Sequence, residues 1–234
     1  MAILAERARE FGVALSPAQL DAFEFYYREL VAWNSRFNLT TITDRDEVIV
    51  KHFLDSLSVA PALPANIVSL IDIGSGAGFP GLPLKIALPA LHVTLMDSTG
   101  KKVKFLEHMI AALNLRDATA LHARAEELAH DAAHREKYDA AVARAVAGLP
   151  MLLEYTLPFA RVGGVLIAQK GIDVDEEVRR AARAIEELGG RLREVAPVQL
   201  PGLEPRHLVV VDKIVATPRK YPRAGGAPKK KPIT

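Results

Sequence analysis

Asp72-Ile73-Gly74-Ser75-Gly76-Ala77-Gly78-Phe79 places three glycines at alternate positions directly behind an apolar run. Glycine lets a backbone turn sharply and approach a ligand with no Cβ in the way, so a loop of this composition at a strand exit suits a small molecule held against main chain. A dinucleotide fingerprint needs its third glycine at position 79, which is Phe79, and no Gly-Lys-Ser/Thr follows to make a Walker loop. Asp72 would repel a pyrophosphate and attract an ammonium, which favours a cofactor with a cationic amino-acid end. Asp97 stands nineteen residues beyond Gly78, closing a second apolar run, where a carboxylate can accept from both hydroxyls of an adenosine ribose. NAD and S-adenosylmethionine share that need; Asp72 tips the choice to S-adenosylmethionine. The rival readings are an NAD(P)-dependent oxidoreductase, a glycine turn with no ligand, and an Asp97 that merely caps a helix before Lys101 and Lys102.

Strands must deliver these residues and helices must cover them. The apolar runs at 67–73, 91–96, 118–122, 138–142 and 164–169 predict strands, and 83–88, the stretch from Val103 to Leu113, 151–160 and 173–188 predict helices between and after them. Strands alternating with helices give an α/β, doubly wound, mostly parallel sheet, closed by a last pair of strands at 191–200 and 207–214. Ligands then sit at the carboxyl ends of the strands. Ahead of the sheet, Ser16-Pro17-Ala18-Gln19 reads as a capping box opening a helix with Leu20, Phe23, Tyr27, Leu30 and Val31 on one face. A further short helix over 48–57 breaks at Pro61. The expected organisation is a helical extension over 1–60 packed on the core, a catalytic domain over 61–216 and a basic tail over 217–234.

The absence of cysteine among 234 residues rules out disulfides, cysteine-ligated metals and a cysteine nucleophile. Glu6 and Arg7 interrupt the start before a signal peptide can develop, and Pro61 and Pro64 break the longest uncharged stretch, so a cytoplasmic protein without a membrane helix is expected. Seven basic residues and no acidic one fall between Lys213 and Thr234; they exceed the whole chain's net charge of +2, so the remainder is acidic. A basic tail on an acidic body points to a polyanion such as nucleic acid, against the plainer reading of a frayed, solvated end. His130 and His134 have helical metal-clamp spacing but no third ligand, so no metal is expected. Ser75 is not framed as Gly-x-Ser-x-Gly. Arg179, Arg180 and Arg183 alternate with Glu176, Glu177, Glu186 and Glu187, an exposed salt-bridged face.

Several segments together resemble the RsmG (GidB) family of bacterial small-subunit rRNA methyltransferases. They are Phe37-Asn38-Leu39-Thr40, Lys51-His52-Phe53-Leu54-Asp55-Ser56-Leu57, Asp72 through Pro83, Asp97-Ser98-Thr99-Gly100-Lys101-Lys102 and Arg124-Ala125-Glu126-Glu127-Leu128. Arg144-Ala145, Arg206-His207-Leu208 and Lys220-Tyr221-Pro222-Arg223 complete the set. The resemblance implies a Rossmann-like class I S-adenosylmethionine-dependent methyltransferase fold and methylation of N7 of one guanine in the decoding region of 16S rRNA, within the 30S subunit or a precursor. It places Gly74, Gly76 and Phe79 at the cofactor, with Gly74 and Phe79 at the methionine end. Asp97, Ser98 and Thr99 fall at the ribose, Ala125 and Glu126 near the adenine, and Arg144 near the methionine end or the target base. Lys170 and Arg206 match positions associated with RNA. A monomer is expected, and a non-catalytic ribosome-assembly module is the alternative within RNA biology.

Guanine N7 carries an in-plane lone pair and no proton, so its methylation needs orientation and no general base; no catalytic acid or base is assigned. The ring becomes cationic as the methyl arrives, so an unpaired Arg144 or Lys170 against the base would oppose transfer. N7 lies on an edge that an A-form groove hides, so the base must be unstacked or flipped. Trp33, Phe37, Phe53, Phe79 and Tyr221 could supply a stacking face, but core packing is the expected role for any single one, Trp33, Phe37 and Phe53 above all; Phe79, in the loop, is the better candidate for a ligand contact.

Overall fold

The computed structural model describes residues 1–144 and 147–234; Ala145, part of the Arg144-Ala145 motif, lies outside the described residues. The chain opens with α1 (Ala2–Ala8), an element the sequence reading does not anticipate, whose buried residues are Leu4 and Ala8. Helix α2 (Pro17–Phe37) begins with the expected capping box: Gln19 N–H donates to Ser16 Oγ at 3.3 Å and Ser16 N–H to Gln19 Oε1 at 2.8 Å. The helix expected over 48–57 is instead composite. It runs as α3 (Arg45–Val48), a π-helical stretch Ile49–Leu54 and α4 (Asp55–Leu57), with Pro61 in the 3-10 turn Ala60–Ala62.

The remainder alternates as expected: β1 (Ser69–Ile73), α5 (Gly81–Ala87), β2 (His92–Asp97), α6 (Gly100–Ala112), β3 (Ala118–His122), α7 (Ala125–Leu128), a short helix that was not expected, and β4 (Tyr138–Arg144). There follow α8 (Leu149–Thr156), β5 (Ala160–Lys170), α9 (Val174–Glu187), β6 (Gly190–Val198), β7 (Arg206–Lys213) and α10 (Ala227–Lys230). The seven strands form one sheet in the order β3-β2-β1-β4-β5-β7-β6, with β1 to β5 parallel and β7 antiparallel to both its neighbours. The order reverses between β1 and β4, which opens a crevice at their carboxyl ends.

Alternate residues of the strands feed two cores. Leu70 and Leu95 pack with Phe23, Tyr26, Phe53 and Phe105 on one side; Ile71 and Ile73 pack with Leu149, Leu153, Phe159 and Ile185 on the other. The N-terminal helices therefore share the core of the sheet, with Phe23 and Phe53 rings 5.0 Å apart and Tyr26 stacked on Phe79 at 5.5 Å. Residues 217–234 do not fray. Thr217, Tyr221 and Ile233 are buried, and Arg223 grips the fully buried Glu154 of α8, its Nη2 2.7 Å from Oε2.

Candidate functional site

Beyond Ile73 the backbone turns at Gly74, with φ +72°, and the N–H groups of Gly74 and Ser75 both donate to Met96 O at 2.8 and 2.9 Å, tying the loop to β2. At Gly78, with φ +102°, any Cβ would run into Leu82 and the Tyr26 hydroxyl. That hydroxyl donates to Ala77 O at 2.5 Å, so α2 clamps the loop from behind. Asp97 anchors the other side: Oδ2 accepts Gly76 N–H at 2.9 Å, Oδ1 accepts Thr99 N–H at 2.8 Å, and Lys102 Nζ stands 3.7 Å from Oδ2. It braces the loops rather than capping α6, whose N-cap, Thr99, has no side-chain cap, and a carboxylate so held keeps lone-pair sites for further donors.

Asp72 departs from expectation. Its side chain is fully buried beneath the loop, where Oδ2 accepts Gly81 N–H at 2.8 Å and Oδ1 has no partner among the described residues. Burial outweighs the Gly81 amide, Ser75 and Arg144, and pushes its carboxyl up to about 7. It does not face the crevice as a counter-charge for an ammonium.

A cavity of about 560 Å³ opens at the carboxyl ends of β1, β2 and β3, within the usual range for small-molecule sites. Four of the anticipated residues line it: Gly74, Ser98, Ala125 and Glu126. Gly76, Asp97 and Thr99 form the hydrogen-bonded frame joining its loops. Arg124, Met151, Tyr155 and Lys229 also line it and were not anticipated. Met151 and Tyr155 are four apart on α8 and share one face, a readable signal; nothing in the sequence around Lys229 ties it to the glycine loop.

Phe79 and Arg144 belong to a second cluster. The Phe79 ring, 4% exposed, is sandwiched between Tyr26 and the His52 ring, whose centroid is 4.4 Å away, and the Arg144 guanidinium lies 4.9 Å from its centroid. The ring is buried in this packing, and Phe79 is not among the residues that line the cavity at the strand exits. Arg144 Nη1 donates to Asp55 Oδ2 at 2.8 Å and to Lys51 O at 3.0 Å, and Gln169, its register partner on β5, donates from Nε2 to Asp55 O at 2.7 Å. His52 Nε2 lies 2.9 Å from Thr40 Oγ1, and Nδ1 lies 3.3 Å from Arg144 Nη2. Burial, and then the Arg144 charge, lower the His52 imidazole to about 3, so it is neutral at physiological pH. The π-helical stretch carries Lys51 and His52 and hands Asp55 to α4; such interruptions are frequent at functional sites.

Lys170 Nζ is 2.6 Å from Glu177 Oε2 and donates to Ala147 O at 3.0 Å. Arg206 opens β7 at the same edge, with a buried Nε that has no partner among the described residues. His130 and His134 make separate contacts, to Pro222 O at 2.8 Å and the Tyr138 hydroxyl at 2.7 Å, and no group of three or more potential metal ligands occurs among the described residues.

The family model described as rRNA small subunit methyltransferase G matches residues 19–209. A ribosomal RNA small subunit methyltransferase G of Roseiflexus sp. (strain RS-1) is 54% identical over 233 residues, covering 100% of both chains. One of Acetivibrio thermocellus is 48% identical, covering 99% of this chain and 96% of its own. Among solved structures, a SAM-dependent methyltransferase from Aquifex aeolicus superimposes with a TM-score of 0.56 at 17% identity, over 76% of this chain and 97% of that one. TYW2 of M. jannaschii, in complex with AdoMet, gives a TM-score of 0.51 at 19% identity over 65% and 73%. These two share the fold, a Rossmann-like class I methyltransferase sheet.

Proposed function

Since the chain belongs to the rRNA small subunit methyltransferase G family, we propose that it moves a methyl group from S-adenosylmethionine to N7 of one guanine in the decoding region of 16S rRNA. The observation that carries the reading is the convergence of three successive strand exits on one cavity: the glycine loop after β1, Ser98 after β2, and Ala125 with Glu126 after β3. That succession suits an elongated ligand with an amino-acid end, a ribose and an adenine. S-adenosylmethionine, when bound, supplies a methyl already activated on a cationic sulfur.

The protein's share is placement. Gly74 lets the ligand lie against main chain; Asp97, fixed by Gly76 and Thr99, offers its remaining lone pairs to ribose hydroxyls; Glu126 stands at the adenine end. No residue has to take a proton, because N7 carries none. Arg144 meets the charge problem of a base turning cationic by being paired: Asp55 offsets the guanidinium, and Phe79 turns its ring face to it. Arg144 acts here as a positioning residue at the β4 exit.

Titration calorimetry with S-adenosylmethionine, its demethylated product and NAD tests the cofactor, with binding of the first two and no response to NAD expected. Mapping the modified base after incubation with unmodified 30S subunits, and in parallel with naked 16S rRNA, tests the target. Binding of NAD alone, or a methyl found elsewhere than guanine N7, would overturn the reading.

A further inference from the structure

A smaller cavity of about 250 Å³ adjoins the cofactor cavity, and the two share Met151 and Lys229. Its other walls are the turn leading into α8 (Gly148, Leu149 and Pro150), Glu177 and Arg180 of α9, and Pro232. Two of the charges that line it, Arg180 and Lys229, lack a carboxylate partner among the described residues. On α9, Arg179 is paired with Glu176 at 2.5 Å and Arg183 with Glu187 at 3.6 Å, whereas Arg180 has no ion pair among the described residues. In the C-terminal stretch, Lys213, Lys220 and Arg223 are paired with Glu136, Glu187 and Glu154 at 3.3, 3.2 and 2.7 Å, whereas Lys229 has no such partner among the described residues. Arg219, Lys230 and Lys231 also lack a carboxylate partner among the described residues, but of the unpaired cations on these two elements Arg180 and Lys229 are the two that line this cavity. The carboxylate that shares it, Glu177, is already engaged by Lys170 at 2.6 Å and by Leu149 N–H at 2.9 Å.

We propose that this cavity is a phosphate-binding subsite for the RNA strand that presents the target base, with Arg180 and Lys229 as its ligands. The proposal rests on the rRNA methyltransferase reading above. A guanine whose N7 is to be reached must leave its stack, at a cost of a few kcal/mol. Its own phosphodiester then stays at the mouth of the site, close to where the base enters. A cavity that shares a wall with the cofactor cavity and carries two uncompensated cations is placed to hold that backbone. Its volume equals that of about eight waters, enough for a phosphate and its ribose. The guanidinium fork of Arg180 matches phosphate oxygens in two-point contact.

Arg180 is exposed and lines this cavity without lining the cofactor cavity, so its replacement separates the two. The experiment measures binding of 30S subunits and KM for them across a salt series, with S-adenosylmethionine affinity followed by calorimetry. Arg180→Ala is expected to raise KM for 30S roughly three- to tenfold and to flatten the slope of log K against log salt by about one. Arg180→Lys recovers part of both, Lys229→Ala shifts them in the same direction, and Arg179→Ala, on the same helix but paired elsewhere, leaves them at wild type. Cofactor affinity of Arg180→Ala stays at the wild-type value. Wild-type KM and salt slope in Arg180→Ala, or an equal loss of cofactor affinity, would overturn the subsite while the wild-type enzyme still methylates 30S. Failure of the wild-type enzyme to methylate rRNA would instead overturn the reading beneath it.

Discussion

Arg144, Asp55, His52 and Phe79 form one buried cluster in which no side chain is independent of the others. Removing the guanidinium in Arg144→Ala strands the buried Asp55 carboxylate, a change that costs about 3–5 kcal/mol. Thermal melts of Arg144→Ala should show that loss, and adding Asp55→Asn should recover part of the stability while cofactor or RNA affinity stays impaired. Wild-type binding of both ligands by Arg144→Ala would contradict its placement. Two further groups push stability in opposite directions with pH. His52 falls from 6.5 to about 3 on folding, so the unfolded chain binds the extra proton and stability rises with pH between those values. Asp72 climbs from 3.8 to about 7, so the folded chain holds the extra proton and stability falls as pH climbs through that window. Between about pH 4 and pH 6.5 the two nearly cancel. Relative to wild type, His52→Gln should make stability fall with pH there and Asp72→Asn should make it rise, each by up to about 1.4 kcal/mol per pH step. Denaturant melts across pH 4 to 8 check this; parallel profiles for all three proteins would refute it.

Elements are where the sequence is most legible. The five parallel strands, the closing antiparallel pair and the α2 cap follow from apolar runs, glycine exits and Ser16-Pro17-Ala18-Gln19, which are local signals. Of the residues that line the candidate cavity, the glycine loop was legible from its place at a strand exit, whereas Ser98, Ala125 and Glu126 were expected only through the family resemblance. What escaped depends on partners distant in sequence. Helix α1 buries Leu4 and Ala8 in the core, the π-helical stretch carries His52 against Phe79 and Thr40, and Lys229 lines the cavity from a stretch that Arg223 ties to Glu154. The packing around Phe79 was hidden for the same reason, since Tyr26 and His52, which stack on its ring, are distant in sequence. Gln19 shows a local signal with a distant use, since its Nε2 also donates to Ile86 O and Ala87 O at the end of α5. Ser16→Ala should therefore cost about 1 kcal/mol, as a lost cap does. Gln19→Ala should cost roughly twice that by also orphaning two α5 carbonyls. Equal melting curves for the two variants would show that the bridge to α5 contributes nothing.

At the scale of the whole molecule, residues 217–234 close the second core and also reach, through Lys229, the cavity at the exits of β1, β2 and β3. Arg223 donates from Nε and Nη2 to Glu154, and its backbone N–H adds a third contact to the same carboxylate at 2.7 Å. Glu154 lies between Met151 and Tyr155 on α8, so this one fully buried carboxylate couples the C-terminal stretch to the cavity wall. Arg223→Ala leaves it uncompensated, at a cost of about 3–5 kcal/mol. In a chain of this size that corresponds to a fall in Tm of roughly 6–15 °C. Deleting 217–234 removes Tyr221 and Ile233 from the core as well, so RNA binding lost by the truncated chain cannot be ascribed to charge. Lys230→Ala, at an exposed position with no ion pair among the described residues, isolates the charge contribution and should leave Tm within about 1 °C of wild type. Differential scanning calorimetry of the three variants, with cofactor titrations beside it, distinguishes the roles. Arg223→Ala must lose both heat stability and cofactor affinity, because the ion pair and the cavity wall share α8. A variant that lost stability and kept full cofactor affinity would show that α8 holds its face of the cavity without help from the C-terminal stretch.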